Sequence, residues 1–261
     1  MRCIFCKADS STSRSVEHII PESLGNIEHT LPPGVVCDSC NNYFAREVEK
    51  PFLGCFPISH LRFEQALPSK RGKVPPVKGM ISPGVPVVLT RAPHPDHDMS
   101  IELLPGAGKQ VPGTEGGTLV FPASSDHLPS GPLLSRLLAK VALEAVAARL
   151  VSAPDDRDKL VDEEQFDLIR NHARRGGPIV NWPVSARRIY PADRLWGEEQ
   201  YQLVHEFDIL ITERNEWFFV IAVFGLELVI NYEGPEIDSY LRWLSEHDDA
   251  SPLYYGKNAT A

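Results

Sequence analysis

No stretch of the chain approaches the roughly eighteen consecutive apolar residues that a membrane-crossing helix needs, so no transmembrane segment is expected. The opening MRCIFCKADSS lacks the apolar core of a secretory signal, and a cytoplasmic location is the expectation. Cysteine is scarce. There are five, at Cys3, Cys6, Cys37, Cys40 and Cys55, and an odd count in such a chain argues against a disulfide framework. Positive charge is in deficit: 26 Lys and Arg stand against 35 Asp and Glu, a formal charge of −9. A binder of polyanions is usually basic, so this balance counts against such a role. The deficit is uneven, however. Residues 1–73 hold nine basic and eight acidic side chains, and the remaining seventeen and twenty-seven lie beyond. An acidic body of that kind restrains non-specific association with polyanions. No internal repeat is visible.

What is present is enough for a core. Hydrophobic residues make up 43% of the 261 positions and charged residues 23%. The length suits one large domain or a small module joined to a larger one, and the composition suggests a division at residues 1–54 and 55–261.

In the first part, the segment SVEHII between Arg14 and Pro21 reads as a short strand, and Gly34 to Val36 as another. A helix is expected from about Ser39 to Lys50, with Phe44 and Val48 on one face and Pro51 stopping it. Residues 55–130 are rich in Pro and Gly, with strands predicted at Val85–Thr90, Ser100–Leu104 and Thr118–Phe121. Within them PHPDHD, with His94, Asp96, His97 and Asp98, reads either as a metal-binding loop or as a solvated one.

The clearest helix is 132–152, whose Leu134, Leu137, Leu138, Val141, Ala145 and Ala148 recur at helical spacing. Its Ser135, Arg136, Lys140 and Glu144 then fall on an exposed face. A second helix is predicted over Leu160 to Arg174, ended by Gly176-Gly177. Glu206–Thr212 and Trp217–Tyr232 are strand-like, with a turn at Glu213 to Glu216 between them. A closing helix is expected at Pro235–Glu246.

The cysteines carry the strongest motif. C-x-x-C, thirty residues (7–36), then C-x-x-C is the spacing of two knuckles whose four sulfurs reach one Zn²⁺ ion. Four thiolates leave no open position, so zinc on Cys3, Cys6, Cys37 and Cys40 would be structural, a staple for a module too small to hold itself together. Cys55 falls outside the pattern and reads as a packed residue.

Between the knuckles lies SVEHIIPESLGN, and directly after the second comes NN. The combination C-x-x-C, EHIIPESLGN and LPPGVVCDSCNNYF resembles the HNH endonucleases, in particular a bacterial branch with E-H-x-x-P and C-N-N. The likeness covers about a fifth of the chain. It implies an N-terminal ββα-metal module with the Cys₄ zinc knot, and the helices and strands read beyond it make a mixed α+β C-terminal domain, an α+β architecture for the whole. The likeness also implies a metal-dependent hydrolase of DNA phosphodiester bonds, in a phage or defence setting, with RNA left open as a substrate.

By this resemblance His18 stands where the family has its general base, Glu17 where it has an acidic metal ligand, and Asn41 where it has the last ligand. Asn42 is the adjacent alternative. Histidine accepts a proton near neutral pH, and the oxygens of Glu and Asn suit Mg²⁺ or Mn²⁺. Neighbours on a strand point to opposite faces, so Glu17 and His18 need a bend to converge.

Many members have His at the Asn41 place and Asp at the Glu17 place, and these departures imply slower turnover or a preference for Mn²⁺. The family's middle Asn falls near Pro32 by spacing, which leaves Asn26 or a backbone group to brace the loop. Arg46, Lys70, Arg71 and Lys73 read either as phosphate contacts or as a solvated charge run.

A different class of function also fits the letters: a non-catalytic, zinc-stabilised DNA-binding or interaction module. The Glu17-His18 pair separates the two readings, because a binding module has no use for it. Residues 55–261 show no catalytic set, and they suit a sensor, a homo-oligomer contact or the docking site of a regulatory partner.

Overall fold

The computed structural model describes residues 1–82, 84–93, 96, 98–106, 117–122, 129–151, 154–189 and 206–253. Two short strands, β1 (Glu17–His18) and β2 (Thr30–Leu31), pair antiparallel with Glu17 opposite Leu31 and His18 opposite Thr30. The second strand therefore lies at Thr30–Leu31, whereas Gly34–Val36 is a turn. Gly34 has φ +93°, and a Cβ there would come within 3.1 Å of the Ser10 carbonyl oxygen. Only glycine lets the two knuckle segments approach this closely.

The helix after the second knuckle does not stop at Pro51. It runs as α1 (Asp38–Phe44), a wider turn over Ala45–Glu49, and α2 (Lys50–Gly54). In the wider turn the Lys50 N–H reaches the Ala45 carbonyl, five residues back. Pro51 then sits at the start of a fresh helical segment, where its missing N–H costs little. Phe44, Val48 and Phe52 are all buried along one side. Helix α3 (Ile58–Glu64) follows, and its buried Arg62 donates from Nε to the Ser23 carbonyl at 2.7 Å, bracing the turn Glu22–Leu24.

Strands β3 (Val77–Ile81), β4 (Val85–Arg91), β5 (Met99–Leu103) and β6 (Leu119–Val120) form an antiparallel sheet in the order β5-β4-β3-β6. Strand β3 escapes the sequence reading because its VKGMI carries a lysine and a glycine. The sheet packs a small core of Val77, Val87 and Leu89 against Phe63. His94 and His97 of the PHPDHD segment lie outside the described residues.

Helix α4 (Pro132–Arg149) occupies the middle of the molecule. Helices α5 (Pro154–Asp162) and α6 (Asp167–Arg175) replace the single helix expected there, and Gly176 closes α6 at φ +65°. Strands β7 (Val184–Arg188), β8 (Glu206–Ile211), β9 (Trp217–Val223) and β10 (Leu226–Asn231) make a second antiparallel sheet in the order β7-β10-β9-β8. The apolar run Trp217–Tyr232 is thus a hairpin, turned at Phe224-Gly225, where both residues have positive φ.

The run reads as continuously apolar because both of its faces are covered. Phe219, Ile221 and Val223 face the core shared with α4, while Phe218, Val220 and Ala222 pack with Tyr240 and Leu244 of α7 (Asp238–Glu246). The larger core is continuous from Cys3 and Phe44 through Leu138 and Ile169 to Tyr232, so the first 54 residues share it with the rest. Among the described residues no helix is long and apolar enough to cross a membrane.

Candidate metal and nuclease centre

The four knuckle sulfurs lie within 4.8 Å of one another, and Cys6 Sγ is 3.6 Å from Cys37 Sγ. Zinc–sulfur bonds of about 2.3 Å place tetrahedral sulfurs about 3.8 Å apart, so the cluster fits one zinc ion. All four thiols are free of disulfides. The Cys37 N–H donates to Cys3 Sγ at 3.3 Å and the Cys40 N–H to Cys37 Sγ at 3.4 Å, which favours thiolate charge. Among the four thiols, the bonds from Cys40 and the Cys37 N–H lower the pKa of Cys3, while the bond to Cys3 raises that of Cys40 and burial raises that of Cys37. A metal centre needs such a thiolate.

The rest of the protein grips this knot. Arg170 of α6 donates from Nε to the Ile4 carbonyl at 2.7 Å, and Lys7 pairs with Asp167 at 2.8 Å. Cys55 stands apart, half-buried, with its thiol on the Phe52 carbonyl.

The helix start also positions the hairpin. The Asp38 carboxylate accepts from the backbone N–H groups of Arg14 and Ser15 at 3.1 and 3.0 Å, fixing the approach to β1. The loop between β1 and β2 is braced by buried Asn26. Its amide donates to the carbonyls of Ile20 (2.7 Å) and His29 (3.0 Å), and its oxygen accepts from the N–H groups of Glu28 (3.1 Å) and His29 (2.9 Å). Of the two candidates for the brace, Asn26 and a backbone group, Asn26 makes these bonds.

Glu17 and His18 are the two residues of β1, paired with Leu31 and Thr30, and Glu17 is the more deeply buried of the two. His18 is half-buried, and among the described residues none hydrogen-bonds its imidazole. Asn41 is half-buried, with Nδ2 3.5 Å from the Val16 carbonyl at the edge of the hairpin. Asn42 is exposed. Of the two amides, Asn41 is the one next to β1. Arg46, Lys70, Arg71 and Lys73 are exposed; Arg46 pairs with Glu47 and Lys70 with Glu22.

Glu17 has the least expected surroundings. It is buried, and its Oε1 lies 2.7 Å from Lys140 Nζ of α4. The same ammonium lies 2.9 Å from Glu144 and 3.1 Å from Glu49, and donates to the His18 carbonyl at 3.1 Å. Burial opposes the charge on Lys140, but Glu144, Glu17 and Glu49 outweigh it and lift the ammonium well above its usual pKa. Burial pushes the Glu144 carboxyl well up, against the pull of Lys140. Glu17 Oε2 and Glu144 Oε1 are buried without a hydrogen-bond partner.

The expected exposed face of α4 is thereby corrected, since Ser135, Lys140 and Glu144 are buried. Ser135 bonds His172 at 2.9 Å, and Arg136 reaches the Tyr43 hydroxyl at 2.8 Å. The available signal was the apolar character of α4 around its whole circumference, because a helix of that kind is buried on all sides.

A hairpin and a helix clasped by four cysteines that could hold one zinc ion, with a Glu-His pair on the hairpin and an amide at the helix start, define a ββα module. Residues 3–56 match the model of the family described as HNH endonuclease. No curated protein and no solved structure matches the chain.

Proposed function

We propose that the protein is a metal-dependent HNH endonuclease that hydrolyses phosphodiester bonds of DNA. The observation that carries this is Glu17 beside His18 on β1, inside the segment that matches the family, with a buried carboxylate oxygen still unpartnered. His18 is the general base. It takes a proton from a water whose oxygen forms the new bond to phosphorus as the bond to the leaving oxygen breaks. Glu17 and Asn41 are the protein ligands of Mg²⁺ or Mn²⁺, and their hard oxygens suit either ion. When bound, the ion supplies Lewis acidity and neutralises charge on the phosphate. Asn26 and Asp38 hold the hairpin on which the pair stands. Residues 1–54 carry the reacting side chains, and residues 55–261 support, target or regulate them.

One observation favours the other reading, a zinc-stabilised DNA-binding module: Glu17 already faces a cation, the Lys140 ammonium. Plasmid cleavage by wild type and His18→Ala, with Mg²⁺, Mn²⁺ or EDTA, separates the two. Cleavage that needs metal and His18 supports the nuclease. Binding without cleavage by wild type supports the module.

A further inference from the structure

Lys140 lies far outside the family match, yet it touches both residues of the Glu17-His18 pair. We infer that Lys140 is a positioning residue of the nuclease centre, one that fixes the Glu17 carboxylate and the His18 backbone in the orientation that metal binding uses. The inference rests on the nuclease reading, because it takes Glu17 as the metal ligand.

Three observations support it. First, the ammonium has four oxygen neighbours at 2.7–3.1 Å, one each from Glu17, Glu144, Glu49 and the His18 carbonyl, so its three N–H donors are fully engaged. One group thereby fixes a carboxylate and the backbone of the next residue. Second, only one oxygen of Glu17 is taken. Oε2 is buried and has no partner, which suits a carboxylate held on one side by an outer donor and offered to a cation on the other. Third, stability alone does not call for a lysine here. Lys140 is fully buried beside Leu137, Ala139, Val141 and Leu143, and replacing a buried ion pair by well-packed apolar side chains is often neutral or stabilising. A cation retained at this point has a task, and both of its neighbours in β1 belong to the proposed chemistry. Helix α4 therefore completes a centre that the first 54 residues do not complete alone.

The test uses the full-length, zinc-loaded protein and measures Mn²⁺ binding directly by calorimetry, alongside cleavage. Lys140→Met removes the ammonium at nearly constant length. Lys140→Met with Glu144→Gln keeps the formal charge of the cage at its wild-type value and serves where the single variant does not fold. Leu143→Ala, buried on the same helix and outside the cage, controls for lost packing.

Both Lys140 variants should bind Mn²⁺ about 10–100-fold more weakly with zinc retained. The half-saturating Mn²⁺ for cleavage should rise by the same factor, while the rate at saturating Mn²⁺ stays within about threefold. Leu143→Ala should lower the melting temperature without moving Mn²⁺ affinity. Unchanged or tighter Mn²⁺ binding in a folded Lys140 variant overturns the inference, as does an equal loss in Leu143→Ala. A wild type that binds Mn²⁺ but never cuts refutes the nuclease reading alone, and the affinity shift still decides the role of Lys140. A wild type that binds no Mn²⁺ overturns both.

Discussion

Replacing Asn26 by alanine should loosen the hairpin without disturbing the zinc knot. The side chain is buried and makes four hydrogen bonds to the backbone of the β1–β2 loop: two donated, to Ile20 and His29, and two accepted, from Glu28 and His29. The bond to Ile20 is fully buried, so its loss strands a carbonyl and costs about 1–3 kcal/mol. The other three are partly open to water, and each contributes about 0.5–1 kcal/mol. The expected loss is about 2.5–6 kcal/mol, a fall in melting temperature of roughly 5–24 °C for a chain of this size.

Asn26→Asp keeps the acceptor but turns a carboxylate oxygen towards the Ile20 and His29 carbonyls in a buried place, so it should be at least as destabilised as alanine. Urea denaturation gives the free energies, and elemental analysis gives the zinc content, which should stay at the wild-type level in both variants. Because Ile19 N–H to His29 oxygen (3.0 Å) continues the pairing of His18 with Thr30, cleavage should weaken as well. A loss below about 1 kcal/mol in the alanine variant, or an aspartate variant clearly more stable than alanine, would show that water replaces the brace and that the reasoning is wrong.

Protein purified without chelator should carry one tightly held zinc per chain, and Cys37→Ser should lose it; zinc-free protein by elemental analysis refutes the Cys₄ site. His18→Ala should cut DNA about 10²–10⁴ times more slowly with zinc content and DNA affinity near wild type, and extra Mn²⁺ should partly rescue Glu17→Ala but not His18→Ala. Burial lowers the His172 pKa from 6.5, assisted by Arg136 and opposed by the bond to the Ile179 carbonyl. The folded state thus keeps this imidazole neutral while the unfolded chain protonates it, so stability is intact above 6.5 and declines as pH falls below it. Urea denaturation at several pH values should show a shallower decline for His172→Gln than for wild type, and parallel curves would rule out this role.

The parts legible in the sequence are those whose physics is local. Two C-x-x-C pairs announce a shared zinc because each knuckle is set by two intervening residues, and the four sulfurs do converge. The amphipathic repeat of α7 and the alternation of β8 are legible for the same reason. Asn26 was only one of two candidates for the loop brace, since the letters do not show which carbonyls its amide meets. Pro51 reads as a helix stop, but the wider turn at Ala45–Glu49 carries the helix past it. Gly79 and Lys78 hide β3, whose place in the sheet comes from pairing with β4, at separations of four to twelve residues along the chain.

The surroundings of Glu17 were decided entirely by tertiary structure. In the sequence, Glu17 is an acid beside a histidine, and Lys140 and Glu144 are an ordinary pair four apart on a helix. Only when α4 is enclosed by the hairpin, the Glu49 turn and the second sheet does desolvation force these charges onto one another. An unpaired buried charge is too costly to keep, so packing that arises more than a hundred residues away dictates how the carboxylate of the Glu-His pair is held.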